Sequence, residues 1–309
     1  MKKLDIGNLM SEARNDRTKN MDQMSVKDLL AVMNAEDGEA VKAVGRVLPA
    51  VEEAVRLAAA ALRAGGHVYY IGAGTSGRIG VMDAVECGPT FGCTDEFQAI
   101  LAGGEGAFIK AKEGAEDDEE AAAADMKRHG VRKGDLVIGI AASGRTPYTI
   151  AALRYARSLG CPTVAIANNR GSELGRAADV AIEAETGPEV LTGSTRLKAA
   201  SAQKMICNMI STITMQQLGK TYQNLMVDMR PTNEKLYDRA ARIVEEAAGC
   251  TKEQAEQALG QCGYHTKTAI VMVLCGLDAA GADRLLDRAG GIVARACQAG
   301  RRSAGGGSK

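Results

Sequence analysis

The sequence predicts an α/β fold in which helices cover both faces of a parallel sheet. Short apolar stretches recur along the middle of the chain, and a helical pattern separates each from the next. Strands that are apolar almost throughout are typical of a sheet buried on both faces. Two of these strands run directly into turns rich in glycine and hydroxyl groups, where ligands of such sheets bind.

Residues 1 to about 60 are predicted to be helical. Ser25 has the position of an N-cap before an acidic first turn, and apolar residues follow at helical spacing. The helical pattern continues over residues 41–62, and Pro49 marks a break or the start of a second helix.

Five strands and their connecting helices are predicted next. The strands are recognised by apolar, β-branched residues between glycine, proline or charged residues. They cover residues 68–71, 97–101, 135–141, 162–167 and 180–184. A helix is expected to begin at Pro147, and the segment 192–198 is expected to cap a long helix that ends near Leu218.

The remainder is predicted to form a small helical bundle after a connection over residues 221–231. Each helical pattern is too short to be stable alone, so the helices are expected to pack together. The patterns cover residues 233–248, 251–261, 265–275 and 278–288. The Gly- and Ser-rich residues 301–309 are predicted to be a disordered tail.

Composition favours a cytoplasmic enzyme or binding protein over several other classes. Lys+Arg and Asp+Glu both number 38, so charge gives no reason to expect nucleic acid or a membrane as a partner. There is no apolar segment of spanning length and no apolar core of a signal peptide. The 8 cysteines form no C-x-x-C pair, and the 3 histidines are far apart. We therefore expect reduced thiols, no metal and no cofactor.

The first glycine-rich turn, Gly72 to Gly77, predicts an anion site. A strand, a glycine turn and a helix start direct several free N–H groups at one point. The turn also matches G-x-G-x-x-G, but a dinucleotide fold needs an acidic residue at the end of the next strand. Asp95 and Glu96 precede that strand instead. The hydroxyls of Thr75 and Ser76 favour a phosphate monoester as the ligand.

The second turn, residues 142–146, occupies the corresponding position after another buried strand. Ser143 and Thr146 are candidate ligand contacts, and a helix cap or turn role remains open for both. Because the carboxyl ends of parallel strands share one edge, the two turns together favour a ligand site more than either alone.

Two carboxylates could provide the chemistry. Glu86 is expected to leave the first helix at a Gly-Pro turn and to point back toward the site. Glu116 belongs to an acidic stretch, residues 112–120, that could equally be the solvated start of a helix. Two carboxylates suffice for paired acid and base catalysis without a metal. On residues alone, the chain is a sugar-phosphate or nucleotide-phosphate binding protein, either an enzyme or a sensor.

Several motifs along the chain together point to one family. They are SEARN, NAEDGEAVKAV, GAGTSGR, ECGPTFG, EGAED, GIAASGRTPY, TGSTRLKA, AQKM, NLMVD and TNEKL. Motifs such as SGRT occur across the wider sugar isomerase (SIS) fold, but the combination is more specific and resembles the N-acetylmuramic acid 6-phosphate etherase family. The resemblance covers about residues 10–295.

The resemblance implies a three-layer αβα SIS fold with a five-stranded parallel sheet and a small C-terminal helical domain similar to ubiquitin-associated folds. The expected boundaries are 1–60 for the N-terminal helices, 61–222 for the SIS domain and 233–295 for the bundle. It also implies a homodimer that acts in cell-wall sugar recycling. The reaction removes D-lactate from the 3-position of the phosphosugar and leaves N-acetylglucosamine 6-phosphate.

The resemblance also implies roles for particular residues. Glu116 would be the base at the sugar 2-position, and Glu86 the acid for the departing lactate. The substrate contacts, with the phosphate on the second turn, would be Thr75, Ser76, Ser143, Gly144, Thr146 and Ser194. Gly88 replaces a proline usual in the family, and residues 168–172 replace an Asn-Pro-Gly-Ser turn, which affects loop geometry.

Two other functions remain open at this stage. The first is a non-catalytic sugar-phosphate sensor, such as the glucokinase regulatory proteins, which share the fold. The second is a phosphosugar isomerase, which also abstracts the 2-position proton but needs no acid for a lactyl leaving group. The two glutamates favour an enzyme, and the chain has room for only one SIS domain.

Overall fold

The structure, a computed structural model, describes residues 10–229, 231 and 233–305. The chain forms two compact units. The first, here named the sheet unit, comprises the residues up to Val85 together with Asp95–Ser211. The second, the helical unit, comprises Glu86–Thr94 and the residues from Thr212 onward. Two boundaries of this division, after Val85 and after Ser211, fall inside helices.

The sheet unit contains a five-stranded parallel sheet in the order β2-β1-β3-β4-β5, which confirms the predicted fold class. The strands are β1 Val68–Gly72, β2 Phe97–Leu101, β3 Leu136–Ile140, β4 Thr163–Ala167 and β5 Val180–Glu183. Every residue of β1, β3 and β4 is buried, as expected for a sheet covered on both faces. The strand order reverses between β1 and β3, which marks the crevice where ligands bind in such sheets.

Among the described residues, eight α-helices begin in the sheet unit. They are α1 Val26–Arg46, α2 Leu48–Arg63, α3 Gly74–Phe91, α4 Gly106–Ile109, α5 Glu119–Arg128, α6 Pro147–Ser158, α7 Glu173–Ala177 and α8 Lys198–Gln217. Ser25 caps α1 by accepting the Asp28 N–H at 3.1 Å, and Pro49 lies in the first turn of α2. Both sequence predictions at these positions are confirmed.

Helix α3 is longer than the sequence predicted at both ends. Only Ala73 separates β1 from α3, so Thr75 and Ser76 lie in the first helical turn and not in an open loop. This tight entry requires glycine at Gly77, where a Cβ would lie 2.5 Å from the Gly72 carbonyl oxygen. At the other end the helix continues through Pro89, so the expected Gly-Pro turn after Glu86 is wrong. The Gly92 N–H still donates to the Gly88 carbonyl at 2.9 Å, which shows that helical bonding resumes after the proline.

The helical unit is a small bundle in which the predicted helices are confirmed. They are α9 Glu234–Ala248, α10 Lys252–Gln261, α11 Thr266–Cys275 and α12 Ala279–Arg288, followed by α13 Val293–Gly305. The sequence reading missed α13, whose residues Val293, Ala296 and Cys297 are buried at helical spacing. Residues 301–305, expected in a disordered tail, are helical, and residues 306–309 lie outside the described part of the chain.

None of the eight cysteines, all of which lie in the described residues, forms a disulfide bond, in agreement with the reduced thiols that the spacing predicted. Within the described residues, no helix is both long enough and apolar enough to cross a membrane.

Candidate active site

A polar cavity of about 380 Å³ lies in the sheet unit beyond the carboxyl ends of β1, β2 and β3. Most of its walls come from the start of α3, the turn after β3, the segment before α5 and the loop before α8. The lining residues with polar or charged side chains are Glu12, Thr75, Ser76, Arg78, Lys112, Glu113, Glu116, Ser143, Thr146 and Thr195. The two hydroxyl-rich turns therefore share one cavity, as the sequence predicted.

The first wall is the amino-terminal turn of α3. Thr75 and Ser76 both line the cavity, and Ser76 is buried. Helix α3 has 18 residues, and the free N–H groups of its first turn carry the positive end of the helix dipole. Hydroxyl donors and backbone N–H groups on one wall are suited to an anion such as a phosphate group.

The second wall is the turn between β3 and α6. The Ser143 Oγ accepts the Arg145 N–H at 3.2 Å, which leaves the hydroxyl proton of Ser143 for a ligand oxygen. Thr146 precedes α6 without a side-chain capping bond, so its hydroxyl can also contact a ligand. Gly144 does not line the cavity. It has φ +67°, and a Cβ would lie 2.3 Å from the Ser172 Cβ, so its role is to permit the turn.

The loop that departs from the usual family pattern supports this second wall. The Asn169 side chain is buried, and its Nδ2 donates to the Ala142 carbonyl at 3.0 Å. Asn169 also contacts Ser11, whose N–H donates to the Asn169 Oδ1 at 3.4 Å. The changed loop therefore still holds the turn that carries Ser143.

Glu116 lies on a different kind of support from the two hydroxyl walls. It belongs to a single 3-10 turn, Ala115–Asp117, that follows Gly114 at φ +76°. Helix α5 begins later, and its cap is Asp118, which accepts the Ala121 N–H at 2.9 Å. The interpretation of this acidic stretch as the start of a helix is therefore correct for Glu119 and Glu120, which lie in the first turn of α5. Glu116 lies outside that helix and lines the cavity.

Arg78 anchors the segment that carries Glu116. Its Nε donates to the Phe108 carbonyl at 2.9 Å, and its Nη2 donates to the Ala107 carbonyl at 2.7 Å. Both carbonyls belong to α4, which lies between β2 and the Glu116 turn. Arg78 therefore joins α3 to this segment and adds a positive charge to the cavity wall.

A buried carboxylate holds α3 against α8 in the sheet unit. Asp83 accepts hydrogen bonds from the Tyr70 hydroxyl at 2.8 Å, the Asn208 Nδ2 at 2.6 Å and the Ser211 hydroxyl at 3.2 Å. Burial raises the pKa of Asp83, and these hydrogen bonds oppose the rise only in part. Asp83 lies three residues before Glu86 on the same helix.

The sequence reading missed the contribution of the amino-terminal segment and of the loop before α8. Glu12, Gly193 and Thr195 line the cavity, whereas the predicted Ser194 does not. Glu12 lies in the SEARN motif, which was recognised as shared with the family but was given no role. Only the folded structure places this motif beside the strand ends.

Buried charges fix the loop before α8. The Glu189 carboxylate accepts the backbone N–H groups of Lys198 at 3.2 Å and Ala199 at 2.9 Å. The side chain of Lys198 forms a buried ion pair with Glu36 of α1, which also bonds Arg17 at 3.1 Å. Burial tends to raise the pKa of Glu36, but the neighbouring Lys198 ammonium lowers it overall.

Glu86 does not belong to this cavity in the described structure. It lies in the middle of α3, exposed, within the part of the chain assigned to the helical unit. Met82 and Val85, close to it on the same helix, are exposed apolar side chains. The structure thus brings Glu116 together with Thr75, Ser76, Ser143 and Thr146, and it leaves Glu86, Gly144 and Ser194 outside the lining.

The dinucleotide alternative lacks its key residue. Strand β2 ends at Leu101 and is followed by Ala102 and Gly103, so the end of the strand offers no carboxylate for a ribose. Among residues 10–229, 231 and 233–305, no group of three or more His, Cys, Asp or Glu side chains could hold a metal ion.

The fold is that of a SIS-domain protein, with a polar cavity at the strand ends. Family profiles agree: the SIS domain matches residues 113–213, the N-terminal SIS domain of glucokinase regulatory protein matches 50–157, and the C-terminal lid domain of that protein matches 223–274.

Full-length relatives identify the family more narrowly. N-acetylmuramic acid 6-phosphate etherase of Mycolicibacterium smegmatis is 55% identical, over 96% of this chain and 100% of that protein. The etherase of Geobacillus thermodenitrificans is 53% identical, over 95% and 100%. That of Serratia proteamaculans is 52% identical, over 94% and 98%. The chain belongs to the N-acetylmuramic acid 6-phosphate etherase family.

Proposed function

We propose that this chain cleaves the D-lactyl ether of N-acetylmuramic acid 6-phosphate, giving N-acetylglucosamine 6-phosphate and D-lactate. The observation that carries the proposal is one cavity in which Glu116 shares the lining with four hydroxyl side chains at two strand ends. Relatives at 51–55% identity over nearly the whole chain carry the etherase name and support the same reaction. The enzyme would be a carbon–oxygen lyase in cell-wall sugar recycling.

The phosphate group would lie between the start of α3 and the turn after β3. Thr75, Ser76, Ser143 and Thr146 supply hydroxyl donors there, and the first turn of α3 supplies N–H groups. Binding the phosphate at one end fixes the orientation of the sugar chain, which makes the later proton transfers intramolecular.

The reaction is an elimination followed by an addition. In the ring-opened sugar, the 2-position proton is alpha to the aldehyde, and the lactyl ether is beta to it. A base removes this proton to give an enolate, and the carbon–oxygen bond at the 3-position breaks as lactate leaves with a proton from an acid. Water then adds to the 3-position of the unsaturated aldehyde, and a proton returns to the 2-position. The balance is one ether plus one water to one alcohol plus lactate.

Glu116 and Glu86 would perform these proton transfers. We assign Glu116 as the base at the 2-position, since its carboxylate lines the cavity that would hold the sugar phosphate. Glu86 is assigned as the acid for the lactate oxygen, because the ECGPTFG motif of the family places a glutamate there. Gly144 and Ser194 would act by shaping the turn and the loop on which their neighbours contact the ligand.

We also propose that the chain forms a homodimer in the cytoplasm, as the family resemblance implies. Sedimentation of the purified chain tests this proposal, and a monomer at assay concentration would contradict it.

One assay separates the proposed reaction from its rivals. The chain is incubated with N-acetylmuramic acid 6-phosphate, and D-lactate is measured with a lactate dehydrogenase. Release of D-lactate that depends on enzyme concentration supports the etherase. A phosphosugar isomerase would convert hexose 6-phosphates without lactate, and a regulator related to the glucokinase regulatory protein profiles would bind the sugar phosphate without turnover.

A further inference from the structure

The helical unit contains a second polar cavity, at the amino end of α11. Its volume is about 820 Å³, and its walls come from the start of α11, from α9 and α12, and from the connection that precedes α9. The reaction proposed above assigns no role to this cavity. On one side of the cavity lie groups that can donate hydrogen bonds to an anion. On the other side lie carboxylates that can accept hydrogen bonds from hydroxyl groups.

The amino end of α11 provides one group of donors. This helix has ten residues, and its N-cap residue, His265, makes no side-chain capping bond. The first N–H groups of a helix have no partner within the helix, and they carry a positive partial charge. His265, Thr266, Lys267 and Thr268 all line the cavity at this point.

A buried hydroxyl group without a hydrogen-bond partner supports a ligand site at this end of α11. Thr266 is the first residue of α11, and only 2% of its surface is exposed. Its Oγ1 has no hydrogen-bond partner among the described residues. A buried hydroxyl that lacks a partner lowers stability, so a ligand oxygen that bonds it would remove this cost.

Two ammonium groups share one carboxylate on the adjacent wall. The Asp228 Oδ2 lies 2.9 Å from the Lys220 Nζ and 2.9 Å from the Lys267 Nζ. Two ammonium groups therefore lie on this wall, and both contact the Asp228 carboxylate. The ammonium of Lys267 can donate two hydrogen bonds besides the one to Asp228.

The opposite wall is suited to a polyol. Asp283 and Asp287 lie one helical turn apart on α12, and the Asp283 Oδ1 accepts the Thr268 hydroxyl at 2.6 Å. Tyr237 and Tyr264 form an edge-to-face pair with ring centroids 4.7 Å apart. Carboxylate oxygens accept hydrogen bonds from hydroxyl groups, and aromatic rings pack against the apolar faces of sugars.

We propose that this cavity binds a phosphorylated polyol, such as a hexose phosphate, at a site separate from the one at the strand ends. The phosphate lies at the amino end of α11 against Thr266, Lys267 and Lys220. The hydroxyl groups of the polyol face the carboxylates of α12. The negative charges of Asp283 and Asp287 select against a ligand that is anionic throughout its length.

A single tryptophan can report on this site, because the chain contains none. Tyr237 lies on a regular helix with 42% of its surface exposed, so Tyr237→Trp places the only indole at the cavity wall. The full-length variant is titrated with glucose 6-phosphate, inorganic phosphate and glucose, and binding heat is measured in parallel. We expect saturable changes with glucose 6-phosphate, weaker ones with phosphate and none with glucose.

Second substitutions in the same background locate the response. We expect Thr266→Val and Lys267→Met each to weaken glucose 6-phosphate binding about tenfold. Thr214→Val is the matched control, because Thr214 is also a buried hydroxyl without a described partner but does not line the cavity. Thr266→Val should keep or raise the melting temperature of the unliganded protein, since it removes an unpaired hydroxyl.

The site at the strand ends is separated by Ser143→Ala in the same background. We expect this change to leave the tryptophan response intact, even if it abolishes turnover. A response lost with Ser143→Ala, or retained in full with Thr266→Val and Lys267→Met, contradicts a site at α11. The absence of both an emission change and binding heat also contradicts it. Asp228, Lys220 and Lys267 would then form a structural ion cluster only.

Discussion

The two proposed catalytic glutamates lie in regions of very different construction. Glu86 is in the middle of an 18-residue helix whose preceding turn is held by the buried Asp83 network. Glu116 is on a single 3-10 turn between Gly114 and α5, and Arg78 binds two carbonyls of α4 in the preceding segment. One carboxylate is therefore positioned by a long regular element, and the other by a loop.

The difference bears on the work each group would do. Proton abstraction from the 2-position needs close approach to carbon, so a carboxylate on an adjustable loop can close onto a bound sugar. A loop of this kind is also more sensitive to changes in its glycines. We therefore expect substitutions around Glu116 to affect turnover strongly and substitutions around Asp83 to affect mainly stability.

The largest effect is expected for Glu116→Gln. If Glu116 is the base, every step depends on it, so lactate release should fall by about 100-fold or more. Exchange of the 2-position proton of N-acetylglucosamine 6-phosphate with deuterated water, followed by NMR, should fall equally. Because glutamine keeps the size of the side chain, a normal melting temperature serves as the control. If exchange of the 2-position proton were undiminished, Glu116 would not be the base.

The second-largest effect is expected for Glu86→Gln, which distinguishes the roles of the two glutamates. Glu86→Gln should lower lactate release by a similar factor of about 100, because the leaving group lacks its acid. Proton exchange on N-acetylglucosamine 6-phosphate should persist, since that molecule has no lactate to expel. The reverse pattern, with exchange surviving only in Glu116→Gln, would interchange the two roles.

Ser143→Ala tests the proposed phosphate contact of the turn between β3 and α6. Loss of one hydrogen bond to a charged phosphate should weaken substrate binding by about 1.5–3 kcal/mol, seen as a raised KM. Ser194→Ala is the matched control, because Ser194 lies outside the cavity lining and should change KM little. Equal effects of the two changes would show that Ser143 acts only as a turn residue.

Gly103→Ala probes the loop support of Glu116. Gly103 has φ +85°, and an added Cβ would lie 2.9 Å from the Lys112 Cδ and 3.3 Å from the Ala115 Cβ. We expect a cost of about 1–3 kcal/mol from the backbone and a fall in kcat. Gly104→Ala has comparable backbone strain at φ +78° but no atoms near the new Cβ. Lactate assays and thermal melts of both variants therefore separate the effect of crowding beside Glu116 from the effect of backbone strain. Equal losses of kcat in the two variants would show that crowding beside Glu116 has no effect.

The smallest expected effect is a pH dependence of the protein's stability, caused by Asp83 on the helix that carries Glu86. The raised pKa of Asp83 means that the folded protein holds this proton more tightly than the unfolded chain, whose value is near 3.8. The stability from this group is complete below that value and is lost as the pH rises through the folded-state pKa. Relative to Asp83→Asn, the wild-type melting temperature should therefore rise as the pH is lowered from neutral. A constant difference between the two proteins would show that Asp83 does not titrate.

Much of the sheet and bundle could be predicted because their signals are local. Five apolar strands, the Ser25 cap and the four helices from α9 to α12 follow from periodicity and capping within a few residues. The shared edge of the two hydroxyl-rich turns followed from one topological rule, and the cavity confirms it.

The remaining features depend on contacts that sequence spacing does not record. Helix α3 continues through Pro89, against the local preference, and the end of α13 lies in residues 301–305, which were predicted to be part of a disordered tail. Gly144 and Ser194 were expected to contact the ligand, but neither lines the cavity, and the unpredicted Thr195 lines it next to Ser194. Glu12 reaches the cavity only because its segment returns to residues far along the chain.

That returning segment has a consequence for the order in which the protein folds. Asn15 bonds the carbonyl of Pro188, Thr18 bonds that of Val190, and Glu36 pairs with Lys198, at separations of 173, 172 and 162 positions. A ribosome synthesises the amino-terminal segment first, yet its partners emerge only after most of the sheet has been made. Contacts of such long range form late, because the intervening chain must first be ordered. The wall of the cavity that contains Glu12 is therefore translated before its partners, and it is expected to be among the last parts to fold.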